Sequence, residues 1–286
     1  MRTSLLSLGI FIVILFSPIL LFSQNQNESE TSIGDKIETN SSIMFNLSYT
    51  NNNMEYLSGT SEKIPTLFAN TSYFHKSGIY AGGSYANYFS DTIPSTEIDL
   101  QVGYQKYFTN GFDIDLSYNW HKFKGDSLLA GLNYDHSIDL MMGMEISKFY
   151  ISTDLNYKLG QTNNFFFDLS LSRFIQINQL FSKNDVLLIS PGISLSFSTD
   201  YWLYEDMSSA DKISTFSNLS SAGYSYESFS YEGFNVFVPV SYGIKNVYLT
   251  VSWLYKIPGD KYKFMGWENQ SGFMLSLTYF LNFSTK

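Results

Sequence analysis

From residue 41 onwards, apolar and polar side chains alternate with a period of two almost to the C-terminus. The clearest alternation lies in segments 98–104 and 112–120, where aliphatic and aromatic residues alternate with Asp, Gln, Ser, Asn and Gly. Strict alternation is typical of a β-strand with one apolar and one polar face. The separating triplet Thr109-Asn110-Gly111 ends in a glycine suited to the positive-φ position of a three-residue turn. The pattern therefore predicts an antiparallel hairpin.

The turn fixes the register of this hairpin. Centring it on Asn110 pairs Leu100 with Trp120 on the apolar face and Asp99 with His121 on the polar face. A slip by one residue would mix the two faces, so the alternation itself specifies the register.

A second hairpin follows the same rule. Segments 138–146 and 149–159 alternate on either side of a two-residue turn at Ser147-Lys148, which places Asp139 opposite Asn156 and Glu145 opposite Tyr150. Eight further segments give weaker strand patterns: Ser41–Asn51, Pro65–His75, Ile79–Ser90, Phe165–Asn178, Val186–Thr199, Tyr231–Gly243, Val247–Ile257 and Ser271–Phe283.

The predicted fold class is all-β: a transmembrane antiparallel up-and-down barrel of about twelve strands over residues 41–286. After residue 24 no apolar run reaches helix-spanning length, so any membrane crossing must use strands. The strands have the length of a tilted bilayer span, and tight turns alternate with longer connections at 52–64, 200–230 and 258–270. A soluble β-sandwich is the rival fold, and strand length argues against it.

Three residues fit a closed sheet poorly. Pro191 and Pro239 fall inside predicted strands, and we expect bulges to accommodate them because a barrel has no edge strand. Arg173 has lipid-face parity, so it must snorkel to the membrane surface or mark a bulge.

The N-terminus has the pattern of an export signal. Arg2 precedes an almost wholly apolar run from Leu5 to Phe22, and cleavage after Ser23 would remove residues 1–23. A retained membrane helix is the alternative reading. Pro18 and the abrupt polar stretch that follows favour cleavage, and residues 24–40 are predicted to form a flexible polar tail.

Composition narrows the class further. The chain has 22 Tyr and 25 Phe, and such aromatic residues suit the two membrane interfaces of a barrel. It has no cysteine, which excludes disulfides, zinc–thiolate sites and Cys nucleophiles. The net charge of −9 argues against nucleic acid as a partner. We therefore expect outer-membrane lipid as the partner and the cell outer membrane as the location, with both mature termini periplasmic because the strand number is even.

The C-terminal segment Tyr279-Phe-Leu-Asn-Phe283 resembles the last strand by which outer-membrane barrels are recognised for insertion. This resemblance implies the barrel-assembly machinery as a partner. Segments Tyr73–Gly82, Glu97–Tyr104 and Gly111–Tyr118 are together similar to porins of the TorF type. That second likeness implies a pore and carries over no site.

The candidate chemistry of the chain is sparse. Its histidines are His75, His121 and His136, and no two have metal-ligand spacing. The His136-Ser137 pair lies on opposite faces, and no positioned Ser is predicted to complete the pair His121–Asp99. We therefore predict no catalytic residue, no metal and no cofactor.

The predicted inward face carries many carboxylates and few cations. It presents, as pore-lining candidates, Glu97, Asp99, Asp113, Asp115, His121, Asp139, Glu145, Asp154, Lys158 and Asp168. This face predicts a narrow passive channel for small polar solutes that prefers cations. A membrane-embedded lipid hydrolase remains an alternative, as does a plugged structural or surface-interaction barrel that exposes residues 200–230.

Overall fold

The computed structural model describes residues 41–53, 63–89, 95–124, 134–160, 162–204 and 207–283; the predicted signal peptide and tail lie outside them. Fourteen strands are described: β1 Ser41–Thr50, β2 Thr66–Phe74, β3 Ile79–Tyr88, β4 Ser95–Tyr107, β5 Phe112–Lys124, β6 Tyr134–Ile146, β7 Phe149–Gly160, β8 Asn164–Arg173, β9 Ile175–Asn178, β10 Asp185–Ile189, β11 Gly192–Thr199, β12 Phe229–Ile244, β13 Val247–Pro258 and β14 Gln270–Phe283.

These strands form a closed antiparallel barrel with up-and-down order. β1 pairs with both β2 and β14, and β11 closes the ring by pairing with β8 and β12. β9 continues β8 and β10 continues β11, forming a short hairpin beside β12. The predicted barrel of twelve strands is therefore confirmed, with two predicted strands each divided in two.

The predicted register is confirmed in both hairpins. Leu100 pairs with Trp120 and Asp99 with His121, while Asp139 pairs with Asn156. The side chains alternate as the pattern requires: Leu116 is 48% exposed on the outside, and its neighbour Asp115 is 8% exposed within. The outside of the barrel is accordingly apolar, and the inside is polar.

Neither strand proline lies at a predicted bulge: Pro191 lies in a break between β10 and β11, and Pro239 lies within the uninterrupted strand β12. β10 and β11 stop on either side of Ser190-Pro191, yet both pair with β12 in one continuous register. Proline has no N–H to donate, so the ladder loses bonds here, while the Ser190 amide still donates to the Pro239 carbonyl at 3.1 Å. The register shift in this pairing lies farther along, between Ser196 and Phe197.

Arg173 ends β8 opposite Phe149, the residue that follows a tight turn. Its side chain is exposed at this end of the barrel. Of the two expectations for this arginine, the structure therefore supports a surface position, since no register shift occurs in the β7–β8 pairing.

The short turns after β2, β4, β6, β9 and β12 lie at one end of the barrel, together with the first residue of β1 and the last of β14. Ser41 pairs there with Phe283. Along this β1–β14 seam, the Asn46 amide donates to Ser276 Oγ at 2.8 Å and to Thr278 Oγ1 at 2.9 Å. The seam therefore has side-chain bonds in addition to its backbone ladder.

The described parts of the connections after β11 and β13, at the opposite end, fold into a cap. It contains a 3₁₀ helix Tyr201–Tyr204, a helix α1 Ser209–Ser221 and a short helix α2 Asp260–Phe264. Trp202, Leu219 and Trp267 are buried in one apolar cluster with residues of the barrel wall. No described helix has the length and apolar character needed to span a membrane.

Candidate functional site in the lumen

All ten predicted pore-lining residues lie on inward-facing strand positions. Six of them are buried: Glu97, Asp113, Asp115, His121, Asp154 and Lys158. The other four are partly exposed: Asp99, Asp139, Glu145 and Asp168. Their inward orientation follows the predicted parity, whereas their role in lining a pore stays a prediction.

One cluster of these residues joins β4 to β5. His121 Nδ1 lies 2.7 Å from Asp99 Oδ1 and 3.3 Å from Glu97 Oε1. These three ligand-type atoms all lie within 4.8 Å of one another. The register explains the convergence, because Glu97 and Asp99 are two apart on one face of β4 and His121 is the cross-strand partner of Asp99.

In each of these three side chains, the polar atom that does not face the other two is hydrogen-bonded to a hydroxyl group. Tyr88 donates to Glu97 Oε2, and Ser84 donates to Asp99 Oδ2 at 2.6 Å. Ser137 Oγ lies 3.0 Å from His121 Nε2. The hydroxyls come from β3 and β6, the strands that flank the cluster, so its side chains are fixed from both sides.

A small cavity opens beside the cluster. It has a volume of about 60 Å³ and is lined by Asp99, His121, Ser137, Asp139 and Lys158, among others. A cavity of this size, with several polar side chains on its wall, is large enough to hold water. Asp99 and His121 of the cluster therefore border space for water.

A second group of carboxylates lies toward the tight-turn end. Tyr80 donates to Asp115 Oδ1 at 2.6 Å, and Tyr150 donates to Asp113 at 2.9 Å. Each tyrosine ring lies over a glycine of the adjacent strand, where a Cβ would overlap it: Gly103 under Tyr80 and Gly143 under Tyr150. The glycines thus make room for the rings that narrow this part of the lumen.

The described residues include two buried ion pairs that the sequence pattern did not predict. Lys256 Nζ lies 2.8 Å from Glu232 Oε1, and Lys261 Nζ contacts Asp200 Oδ2. Strand parity was sufficient to place Lys256 inside, two residues before Pro258. Lys261 lies in the short helix α2, within a connection whose sequence shows no period that would give the direction of a side chain.

Sequence spacing also missed the Glu97–Asp99–His121 cluster and the position of Ser137. Rules for ligand spacing count along one chain segment, whereas these groups meet across strands. The predicted register already paired Asp99 with His121, so a search for ligands across that register was the available signal.

The cap is joined to the barrel by polar contacts as well as by its apolar cluster. Asp200 forms an ion pair with Lys261 and accepts hydrogen bonds from the Tyr204 hydroxyl at 3.0 Å and from the Ser228 amide. Burial raises the pKa of Tyr204 and Tyr262 above the ordinary range, so both phenols stay neutral. Residues 200–230, predicted as an exposed loop, thus contribute buried residues to the mouth of the barrel.

No protein-family model matches the chain, and no curated protein matches it in sequence. Among solved structures, it is similar to a KdgM porin, with 10% identity over 83% of this chain and 98% of that chain, at a TM-score of 0.46. It is also similar to LpxR from Salmonella typhimurium, with 9% identity, coverage of 84% and 100%, and a TM-score of 0.46. An outer membrane channel from Pseudomonas putida F1 matches with 10% identity, coverage of 89% and 100%, and a TM-score of 0.45. At these values the likeness assigns no residue and no activity, and the resemblance to TorF-type porins stays a prediction.

Proposed function

We propose that this chain is a non-enzymatic outer-membrane channel for small polar cations, closed by its cap in this conformation. The observation that carries the proposal is the excess of carboxylates on the inward face. Asp113, Asp115, Asp139, Asp154 and Asp168 make no ion pair among the described residues. Clustered carboxylates repel one another unless water and mobile cations reach them, so their presence favours a hydrated lumen.

The outer surface supports a membrane location. Apolar side chains on the outer face, such as Leu100, Leu116 and Leu275, are about half exposed. Lipid would cover these side chains without any soluble partner. A closed barrel also satisfies every strand's backbone without an exposed edge, which the hydrocarbon core requires. We propose that the tight-turn end is periplasmic and the capped end external, following the usual asymmetry of loop lengths.

The negative potential inside a narrow, low-dielectric wall would concentrate cations and repel anions. Salt screens this potential: at 0.1 M the Debye length is about 10 Å, comparable with a pore radius. Cation preference is therefore expected to be strongest at low salt.

The test is planar-bilayer recording of the refolded full chain under a salt gradient. We expect rare openings for the intact chain and frequent openings for a variant with weakened cap contacts. In both proteins we expect a reversal potential whose sign shows that cations permeate more readily than anions. Absence of conductance from both proteins would overturn the channel. Conductance with anion preference would overturn the proposed lining.

A specific observation favours a hydrolase as the second candidate. Ser137, His121 and Asp99 have the order of contacts found in Ser–His–Asp triads, with Ser137 Oγ 3.0 Å from Nε2 and Asp99 Oδ1 2.7 Å from Nδ1. Ser137 Oγ also lies 3.2 Å from Asp139 Oδ2, a competing acceptor, and its strand amides are engaged in the barrel ladder. Labelling by a fluorophosphonate probe that is lost in Ser137→Ala would favour the hydrolase over the channel.

The buried contacts of the cap favour the third candidate, a plugged structural barrel. Cap weakening distinguishes the two ideas, because a removable gate would release conductance and a structural plug over a filled lumen would not.

A further inference from the structure

We infer that Glu97, Asp99 and His121 form a binding site for one divalent transition-metal ion inside the barrel. The atoms that would face the ion are Glu97 Oε1, Asp99 Oδ1 and His121 Nδ1, which lie within 4.8 Å of one another. Two carboxylate oxygens and one imidazole nitrogen are a ligand set that suits Zn²⁺ and its neighbours more than Mg²⁺ or Ca²⁺.

Charge and hydrogen bonding both leave a place for a cation. One Nδ1 proton cannot serve two carboxylates, and the imidazole favours Asp99 at 2.7 Å. Glu97 is fully buried, and its Oε1 receives no hydrogen bond from the described residues, although Nδ1 lies 3.3 Å away. A buried carboxylate oxygen whose nearest donor is already engaged by Asp99 is costly, and a metal ion would take the place of that donor.

The surrounding hydroxyls are arranged as an outer shell of a metal site. Tyr88, Ser84 and Ser137 engage the atoms that point away from the ion: Glu97 Oε2, Asp99 Oδ2 and His121 Nε2. Metal ligands are commonly fixed in this way, which orients them and sets the imidazole tautomer. If Nε2 carries the proton, it donates to Ser137 Oγ, and Nδ1 is free to bind the ion.

The adjacent cavity completes the coordination. Asp99 and His121 line a volume of about 60 Å³, which leaves room for water on the open side of the ion. Three protein ligands with water in the remaining positions describe an open site, as distinct from a closed structural one. The site does not require the barrel to conduct, so its failure and the failure of the channel are separate results.

The test is metal content after refolding the full chain in detergent with Zn²⁺ present, which removes any barrier to access from the cap. After dialysis we expect about one Zn²⁺ per wild-type chain and about a tenth of that or less in the Glu97→Gln/His121→Gln variant. Asp113→Asn/Glu145→Gln, with changes on the same inward face, should retain the metal. Ser137→Ala should keep the stoichiometry and weaken affinity by about 10- to 100-fold, as expected of a positioning residue.

Folding of each variant is checked by heat-modifiable gel mobility. X-ray absorption of the wild-type zinc complex gives a second readout that needs no variant, with one imidazole nitrogen among oxygen ligands expected. Wild-type protein without bound zinc, equal loss in the Asp113→Asn/Glu145→Gln control, or an all-oxygen shell would each overturn the site.

Discussion

Asp154 on β7 lies directly opposite Asp168 on β8, so two carboxylates face each other across one strand pair. Replacing both by Asn removes this repulsion and the local negative potential. We expect Asp154→Asn/Asp168→Asn to shift the reversal potential toward zero, most strongly at low salt. The charge-matched control Asp135→Asn/Glu268→Gln changes exposed residues and should leave the reversal potential unchanged. Equal shifts in both variants would refute the proposed lining.

The cap should depend on its buried ion pair. Lys261→Met leaves Asp200 buried without its cation, and breaking such a pair costs about 3–5 kcal/mol. We expect faster proteolysis within 207–228 and more frequent channel openings. Lys263→Met is the matched control, because Lys263 is 47% exposed and lies 3.8 Å from Asp260, a contact that contributes little. A cap equally stable in both variants would contradict the assigned role of Asp200.

The glycines beneath tyrosine rings should tolerate no methyl group. In Gly143→Ala the new Cβ would overlap the Tyr150 hydroxyl and ring, so we expect a loss of about 1–3 kcal/mol in unfolding free energy. Gly83→Ala is the control, since its Cβ would have ordinary contacts of 3.4 Å. Denaturant titration of the refolded variants gives the comparison. Equal stability would show that the ring moves aside at little cost.

Leu116 tests which face meets lipid. Leu116→Arg puts a charge on the outer surface near the middle of a span, with an expected cost of about 2–4 kcal/mol. Leu116→Met keeps the residue apolar and should cost much less. Both are measured by guanidinium unfolding from lipid vesicles. An arginine tolerated as well as methionine would count against a lipid-facing position.

The absence of cysteine permits a clean test of orientation. Ser221→Cys lies in the cap and Lys148→Cys in a tight turn, both at exposed positions. On intact cells, a membrane-impermeant maleimide should label the cap cysteine and spare the turn cysteine until the outer membrane is opened. The reverse pattern would invert the proposed topology.

Alternation, turn length and strand length were sufficient to predict the barrel and its register, because a period of two is a local property of each strand. Asp99 and His121 were paired in this way. The break at Ser190-Pro191 could not be distinguished from a bulge, since either relieves a missing proline N–H. A bulge would shift the strand register and a break would not. The register here is set by the pairing of β10 and β11 with β12, which the local sequence does not show.

The site was harder to predict than the fold. Glu97, Asp99 and His121 were each placed on the inner face, but their convergence depends on side-chain direction and on neighbours such as Tyr88 and Ser137. The cap had no period to follow. Its burial depends on contacts between distant loops, such as Asp200 with Lys261.

The β1–β14 seam sets the order in which the barrel can assemble. The other pairings of the ring join strands that are consecutive along the chain or, for β8 and β11, separated only by the short β9–β10 hairpin, whereas Asn46 and Ser276 are 230 residues apart. Loop-closure entropy makes such a contact slow to form, and hairpins form far sooner. Closure of the seam is therefore expected to be the last and rate-limiting step of folding. Until then β1 and β14 present two open edges, and the bonds of Asn46 help these edges to select each other over a neighbouring chain.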